Sequence, residues 1–129
     1  LVQRLCNKIR KNKDKIVRVQ EDMLQDAEVV VVAYGIAARA ALSAVRKARA
    51  EGVKAGLLRL VTLWPFPDEQ VGQVARRVKA MVVPEMNCGQ IVREVERAAK
   101  ETPVISLSKL GEEPHKPEEI FEAMRGTLK

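Results

Sequence analysis

The chain has 129 residues, 47% of them hydrophobic and 31% charged, enough apolar material for one folded domain and too little length for two. Only 3% are aromatic, so the core must be built from Val, Leu, Ile and Ala. No apolar run approaches the roughly 20 residues that cross a bilayer, and the opening Leu1-Val2-Gln3-Arg4-Leu5-Cys6 lacks the continuous apolar segment and cleavage site of a secretory signal.

The net charge of +6 invites a nucleic-acid reading, but the excess is local. Arg4, Lys8, Arg10, Lys11, Lys13, Lys15 and Arg18 face only Asp14 within residues 1–18, and residues 19–129 carry sixteen basic and sixteen acidic side chains. Such a segment is a solvated or docking face, or it binds phosphate backbones. Two cysteines, Cys6 and Cys88, make no disulfide framework and fit a reducing, cytoplasmic setting. A first residue other than Met, followed at once by a helical pattern, suggests a piece of a longer protein.

Apolar positions at Val2, Leu5, Ile9, Ile16, Val19 and Met23 give a heptad-like stripe that predicts a basic connector helix over residues 1–25. A domain over 26–129 follows it. Glu28–Tyr34 is a β-branched run expected as a strand buried on both faces. Gly35 breaks it, and an Ala-rich helix over Ile36–Glu51 ends at Gly52 in the C′ position. Val53–Val61 is the second strand. Pro65 and Pro67 close a loop, and Pro67 suits the first turn of a helix with Val71, Val74, Ala75 and Val78 on one side; Asp68 and Glu69 complement its dipole. Ala80–Met86 is the third strand. Asn87 is expected to cap a helix from Cys88 to about Glu101, with Gln90 as the reciprocal member of a capping box. Pro103–Leu107 is a fourth strand, and Pro117 opens a last helix offering Ile120, Phe121, Met124 and Leu128 to the core. Alternating strands and helices predict an α/β fold, a mostly parallel sheet in three α/β/α layers.

Ligands in such sheets sit beyond the C-terminal strand ends, here at Tyr34-Gly35, Leu60–Phe66 and Glu85–Gln90. Gly35-Ile36-Ala37-Ala38-Arg39-Ala40 lacks the second and third glycines of a dinucleotide fingerprint, and the second strand ends without an acidic ribose partner. Glu85-Met86-Asn87-Cys88-Gly89-Gln90 gathers polar groups and a thiol at a strand-to-helix turn. Capping and packing, an interface beside a cofactor, and a thiolate at Cys88 stabilised by the helix N-terminus all remain open there. Trp64 and Phe66 in Leu63-Trp64-Pro65-Phe66-Pro67 either plug a core edge or anchor a subunit contact. His115, the only histidine, has no neighbours with metal-ligand spacing. No Walker-type phosphate loop occurs.

The segments AEVVVVAYG, GLLRLVTLWPFP and VVPEMNCGQIVREVERA, in that order and spacing, resemble the C-terminal domain of the alpha subunit of 2-oxoacid:ferredoxin oxidoreductases from about Asp26 to Leu128. More distantly they resemble the C-terminal domain of transketolases. The basic segment resembles that family's connector. The resemblance implies a transketolase C-terminal-domain-like sheet with one strand reversed, and an interface role for Glu85, Asn87, Gly89 and Gln90. It implies thiamine diphosphate, Mg and iron–sulfur clusters in the full complex, with none held by this piece. Implied partners are the enzyme's other domains and subunits, with ferredoxin and CoA reached only through the complex, and no membrane. The sequence departs from the family at Ile36-Ala37, where relatives often carry a small polar residue. The alternative is a freestanding α/β binding module whose basic helix docks nucleic acid or an acidic partner, or one that binds phosphate at Gly35 and the Asn87 turn.

Overall fold

The computed structural model describes residues 18–61, 66–85, 90–108 and 115–127. Along them run strand β1 (Val19–Asp22), strand β2 (Val29–Ala33), helix α1 (Ala37–Ala50), strand β3 (Ala55–Leu60), helix α2 (Asp68–Ala75), strand β4 (Ala80–Glu85), helix α3 (Gln90–Ala99), strand β5 (Val104–Ser108) and helix α4 (Pro117–Thr127). The strands form one sheet in the order β1-β3-β2-β4-β5. Four are parallel, and β1 runs antiparallel along β3. The mixed, mostly parallel sheet expected from the alternation and the resemblance is present, and β1 is its reversed strand.

The pleat sends successive side chains to opposite faces. Val30, Val32, Leu58, Leu60, Met81 and Val83 pack with Val71 and Val74 of α2 and Val92 and Val95 of α3. Val29, Val31, Leu57 and Val82 pack with Ala41, Ala44 and Val45 of α1 and Ile120 and Met124 of α4. All five residues of β2 are fully buried, as its unbroken β-branched run requires. The alanines of α1 keep that helix close to the sheet. It stops at Glu51-Gly52: Gly52 turns left-handed (φ 87°), and the Val53 N–H reaches back to the Ala48 carbonyl at 2.9 Å, satisfying an end carbonyl. Lys47 lies 5.0 Å above the Phe121 ring centroid, a cation–π contact between α1 and α4.

Three expectations change. The helical stripe predicted to reach residue 25 does not do so: Val19–Asp22 is a strand, and the domain already includes Arg18, whose carbonyl accepts the Val61 N–H at 3.1 Å. Pairing with a segment forty residues away overrides the local period. The exposed Gln20, Glu21 and Asp22 then serve as a charged sheet border. The rest of the predicted connector, residues 1–17, lies outside the described residues. The second change is that α2 ends at Ala75, so Val78 is not on it. The Arg77 N–H closes a tighter turn onto Val74, and the Lys79 N–H is drawn to the Glu28 carbonyl at the foot of the sheet. Val78 still packs on the core. Third, α3 ends at Ala99 rather than at about Glu101, with Lys100 in the left-handed region (φ 60°) and the Thr102 hydroxyl donating to the Ala75 carbonyl at 2.7 Å.

A tight turn joins β1 to β2. Met23 is left-handed there (φ 58°), and Arg49 of α1 fastens the turn. Its guanidinium donates to the Met23 carbonyl at 2.7 Å and to both Asp26 carboxylate oxygens, the shorter bond 2.6 Å, while its Nε donates to the Ala55 carbonyl at 2.6 Å. One planar fork thereby ties α1, the turn and β3. We expect Arg49→Ala to cost about 1–3 kcal/mol, and Arg49→Lys to recover only part because an ammonium cannot hold this fork. The hydrogen bond from Arg49 also holds the Asp26 carboxyl below its ordinary 3.8. A folded-state value below the unfolded one stabilises the fold above the unfolded value and is lost as pH falls through the folded one. Acid titration of stability below about pH 4 is therefore expected to be shallower in Asp26→Asn than in the wild type, measured as urea midpoints at each pH.

Candidate functional site at the strand-exit rim

The parallel strands end together on one rim. From β2 the chain turns to α1 on one face, and from the adjacent β4 it turns to α3 on the opposite face. The two exits diverge, which is the switch point where open α/β sheets place their ligands and contacts. Gly35 makes the first turn with φ 59°, a conformation that disfavours any side chain. Tyr34 before it is half-buried and packs on the core side shared with α2 and α3. Ile36 occupies the N-cap position of α1, where no side chain caps the helix and no acidic residue lies in the first turn; it is 70% exposed.

At the second exit Glu85 ends β4, paired with Ser108 of β5. Its side chain is 1% exposed and turned inward: Oε2 accepts the Ile91 N–H at 3.1 Å and Oε1 the Val92 N–H at 3.3 Å. A carboxylate thus closes the first turn of α3, satisfying two of its unpaired donors and meeting the positive end of the helix dipole. The strand-to-helix hand-over expected at this stretch is found. The helix is described from Gln90, so its expected start at Cys88 lies outside the described residues, and Glu85 supplies a cap that local spacing did not suggest. Asn87, Cys88 and Gly89, with the cap and thiol readings attached to them, lie outside the described residues.

At the third exit Val61 is 51% exposed, whereas Phe66 is 6% exposed and packs in the core beside α2 and α3, the first of the two roles open to it. Trp64 lies outside the described residues. His115 is 4% exposed. Its Nε2 is hydrogen-bonded to the Leu107 carbonyl at the end of β5, and its Nδ1 is buried without a hydrogen-bond partner. Nothing in the sequence around it signals that burial. Among the described residues no group of three or more His, Cys, Asp or Glu side chains is placed to hold a metal. The described rim also does not fit a magnesium-bound diphosphate. Its one buried carboxylate is already engaged by two backbone donors, and Ile36 and Ala37 follow the glycine where a diphosphate needs bare backbone.

A solvent-open cleft of about 690 Å³ lies elsewhere, on the flank between α2 and α3. Arg97 bridges Asp68 at 2.5 Å and Glu94 at 2.7 Å beside it. It is a surface ion cluster away from the strand exits.

The model of the pyruvate:ferredoxin oxidoreductase core domain II family matches residues 27–120. The chain belongs to that family. This core domain II chain is 47% identical over 127 residues to 2-oxoglutarate synthase subunit KorA of Methanocaldococcus jannaschii, covering 98% of the chain and 34% of the relative. It is 43% identical over 95 residues to ketoisovalerate oxidoreductase subunit VorB of Methanothermobacter marburgensis, covering 74% of the chain and 27% of the relative. The chain therefore spans about a third of the length of the curated relatives it matches. In three dimensions it superposes on 2-oxoglutarate:ferredoxin oxidoreductase from Magnetococcus marinus with TM-score 0.81 and 22% identity, over 98% of this chain and 23% of that one. A split-gene transketolase follows, with TM-score 0.69 and 24% identity over 84% of the chain and 41% of the other. These superpositions establish the transketolase-like fold of core domain II.

Proposed function

We propose that this core domain II chain completes the alpha-type subunit of a thiamine-diphosphate-dependent 2-oxoacid:ferredoxin oxidoreductase. It carries contacts to the other domains and subunits and none of the reacting groups. In the whole enzyme a 2-oxoacid and CoA give an acyl-CoA, carbon dioxide and a proton, and the two electrons released pass through iron–sulfur clusters to ferredoxin. The observation that carries the reading is 42–47% identity over 127 residues to subunits named 2-oxoglutarate synthase, which makes 2-oxoglutarate the first substrate to assay. The geometry supports a scaffold role, since the buried rim carboxylate is spent on closing α3. Within this reading Tyr34, Gly35, Trp64, Phe66 and the Glu85–Gln90 turn stand near the interface, and residues 1–17 belong to the connector. The setting proposed is the cytoplasm, consistent with two cysteines and no disulfide framework; no helix among the described residues is long and apolar enough to cross a membrane.

The test pairs two measurements. The full-length subunit, assembled with its companions, is expected to reduce ferredoxin when given 2-oxoglutarate and CoA. The 129-residue chain alone is expected to give no heat on titration with thiamine diphosphate and magnesium. Tight thiamine diphosphate binding by the short chain would overturn the scaffold role, and an assembled complex inert toward every 2-oxoacid would overturn the enzyme assignment.

A further inference from the structure

Three large apolar side chains are exposed among the described residues: Met23, Ile36 and Val61. Scattered apolar residues are ordinary on a protein surface, but two of these follow neighbouring strands onto the same rim. β2 and β3 are parallel neighbours whose last registered pair is Ala33–Arg59, and Ile36 and Val61 follow the ends of these two strands. Ile36 and Val61 therefore stand together on the rim. Ile36 occupies the N-cap position of α1, where Ser, Thr, Asp or Asn is preferred, and no side chain caps that turn. Arg39 is exposed within the first turn, adding a cation to the positive end of the helix dipole.

The reversed strand says what reaches this surface. Because β1 runs against its neighbours, its start lies at the rim where the parallel strands end, and the Arg18 carbonyl accepts the Val61 N–H there. The start of β1, just after Arg18, is thereby fixed beside Val61. The curated relatives have about three times the length of this chain, so in the subunit reading further polypeptide is seated against this domain, whose two sheet faces are already covered by its own helices.

We propose that the exit rim of β2 and β3, centred on Ile36 and Val61, is the seat for the part of the subunit polypeptide lying outside this chain. That part presents an apolar patch with a carboxylate facing Arg39 and the first turn of α1. The proposal rests on the subunit reading above and gives the departure at Ile36 a purpose: the apolar residue that replaces a cap is covered, and the cap comes from the docked surface.

The experiment uses the full-length subunit, purified without its companions, carrying Ile36→Cys, Val61→Cys or, on the outer face of α1, Ser43→Cys. Maleimide labelling at each site is followed by peptide mass spectrometry. Labelling at positions 36 and 61 is expected to be at least tenfold slower than at 43, and Arg39→Glu is expected to raise the rate at 36 severalfold where Arg39→Lys does not. Equal rates at all three sites overturn the seat. Protection that appears only when companion subunits are added overturns the occupant. Ferredoxin reduction by the assembled variants is measured alongside: activity with equal labelling removes the seat and keeps the enzyme assignment, while slow labelling in a complex inert toward every 2-oxoacid keeps the seat and removes that assignment.

Discussion

Glu85→Ala is expected to lower the stability of the domain by about 3 kcal/mol, roughly a 10 °C drop in Tm for a chain of this size. The substitution removes both acceptors from the Ile91 and Val92 N–H groups, which lie where water cannot readily replace them, and leaves a void beneath the first turn of α3. The loss is large against the 5–15 kcal/mol that a domain has in hand. Glu85→Gln separates shape from charge. The amide keeps the volume, but it offers one carbonyl oxygen and turns an NH2 toward a backbone donor, so about 2 kcal/mol is expected to go. Thermal unfolding by circular dichroism gives the totals. Hydrogen exchange gives the location, with amides 91 and 92 accelerating first. A Glu85→Ala protein melting within about 2 °C of wild type would show that the carboxylate does not hold the turn.

Gly56→Ala is expected to cost about 2 kcal/mol, and Gly56→Val more. A Cβ at Gly56 would stand 2.6 Å from Leu24 Cδ2, 2.9 Å from the Met23 carbonyl oxygen and 3.1 Å from Ala27 Cβ. The leucine methyl can rotate away. The carbonyl cannot, because Arg49 grips it at 2.7 Å within a left-handed turn. Leu24→Ala in the Gly56→Ala background is therefore expected to relieve one contact of the three, making the double variant more stable than the two single costs added. Urea denaturation of the four proteins measures this. Strict additivity would mean that the turn yields as a whole instead of clashing at the leucine.

Much of this fold can be read from local chemistry. The run from Val29 to Ala33 is a doubly buried strand because nothing else suits consecutive valines, Gly52 ends α1 where a left-handed residue is needed, and Asp68 and Glu69 stand at the dipole end that favours them. The elements that misled depend on distant partners. Val19 and Met23 continue a helical stripe whose period is real, yet backbone pairing of Val19–Asp22 with Leu57–Leu60 makes a strand there and Met23 turns left-handed after it. At the rim, nothing local reveals that the carboxylate of Glu85 accepts the Ile91 and Val92 N–H groups and closes the first turn of α3. Tyr34 and Gly35 were legible as an exit turn. Phe66 stayed ambiguous because an aromatic next to prolines fits a core plug as well as a contact anchor, and only packing against α2 and α3 chooses. His115 gave no sign of burial, since the carbonyl that holds it belongs to a strand end eight residues away.

The reversed first strand has one more effect, on how copies of the domain behave when crowded. A parallel sheet ending in an apolar ribbon would welcome the same ribbon from a neighbour and fuse with it. Here that flank is finished by a short segment of opposite polarity bearing Gln20, Glu21 and Asp22, so two molecules meeting there bring like charges together and find little oil to share. Side-by-side growth through that border is disfavoured, and the domain can sit at high local density inside a large assembly while each copy keeps its own sheet.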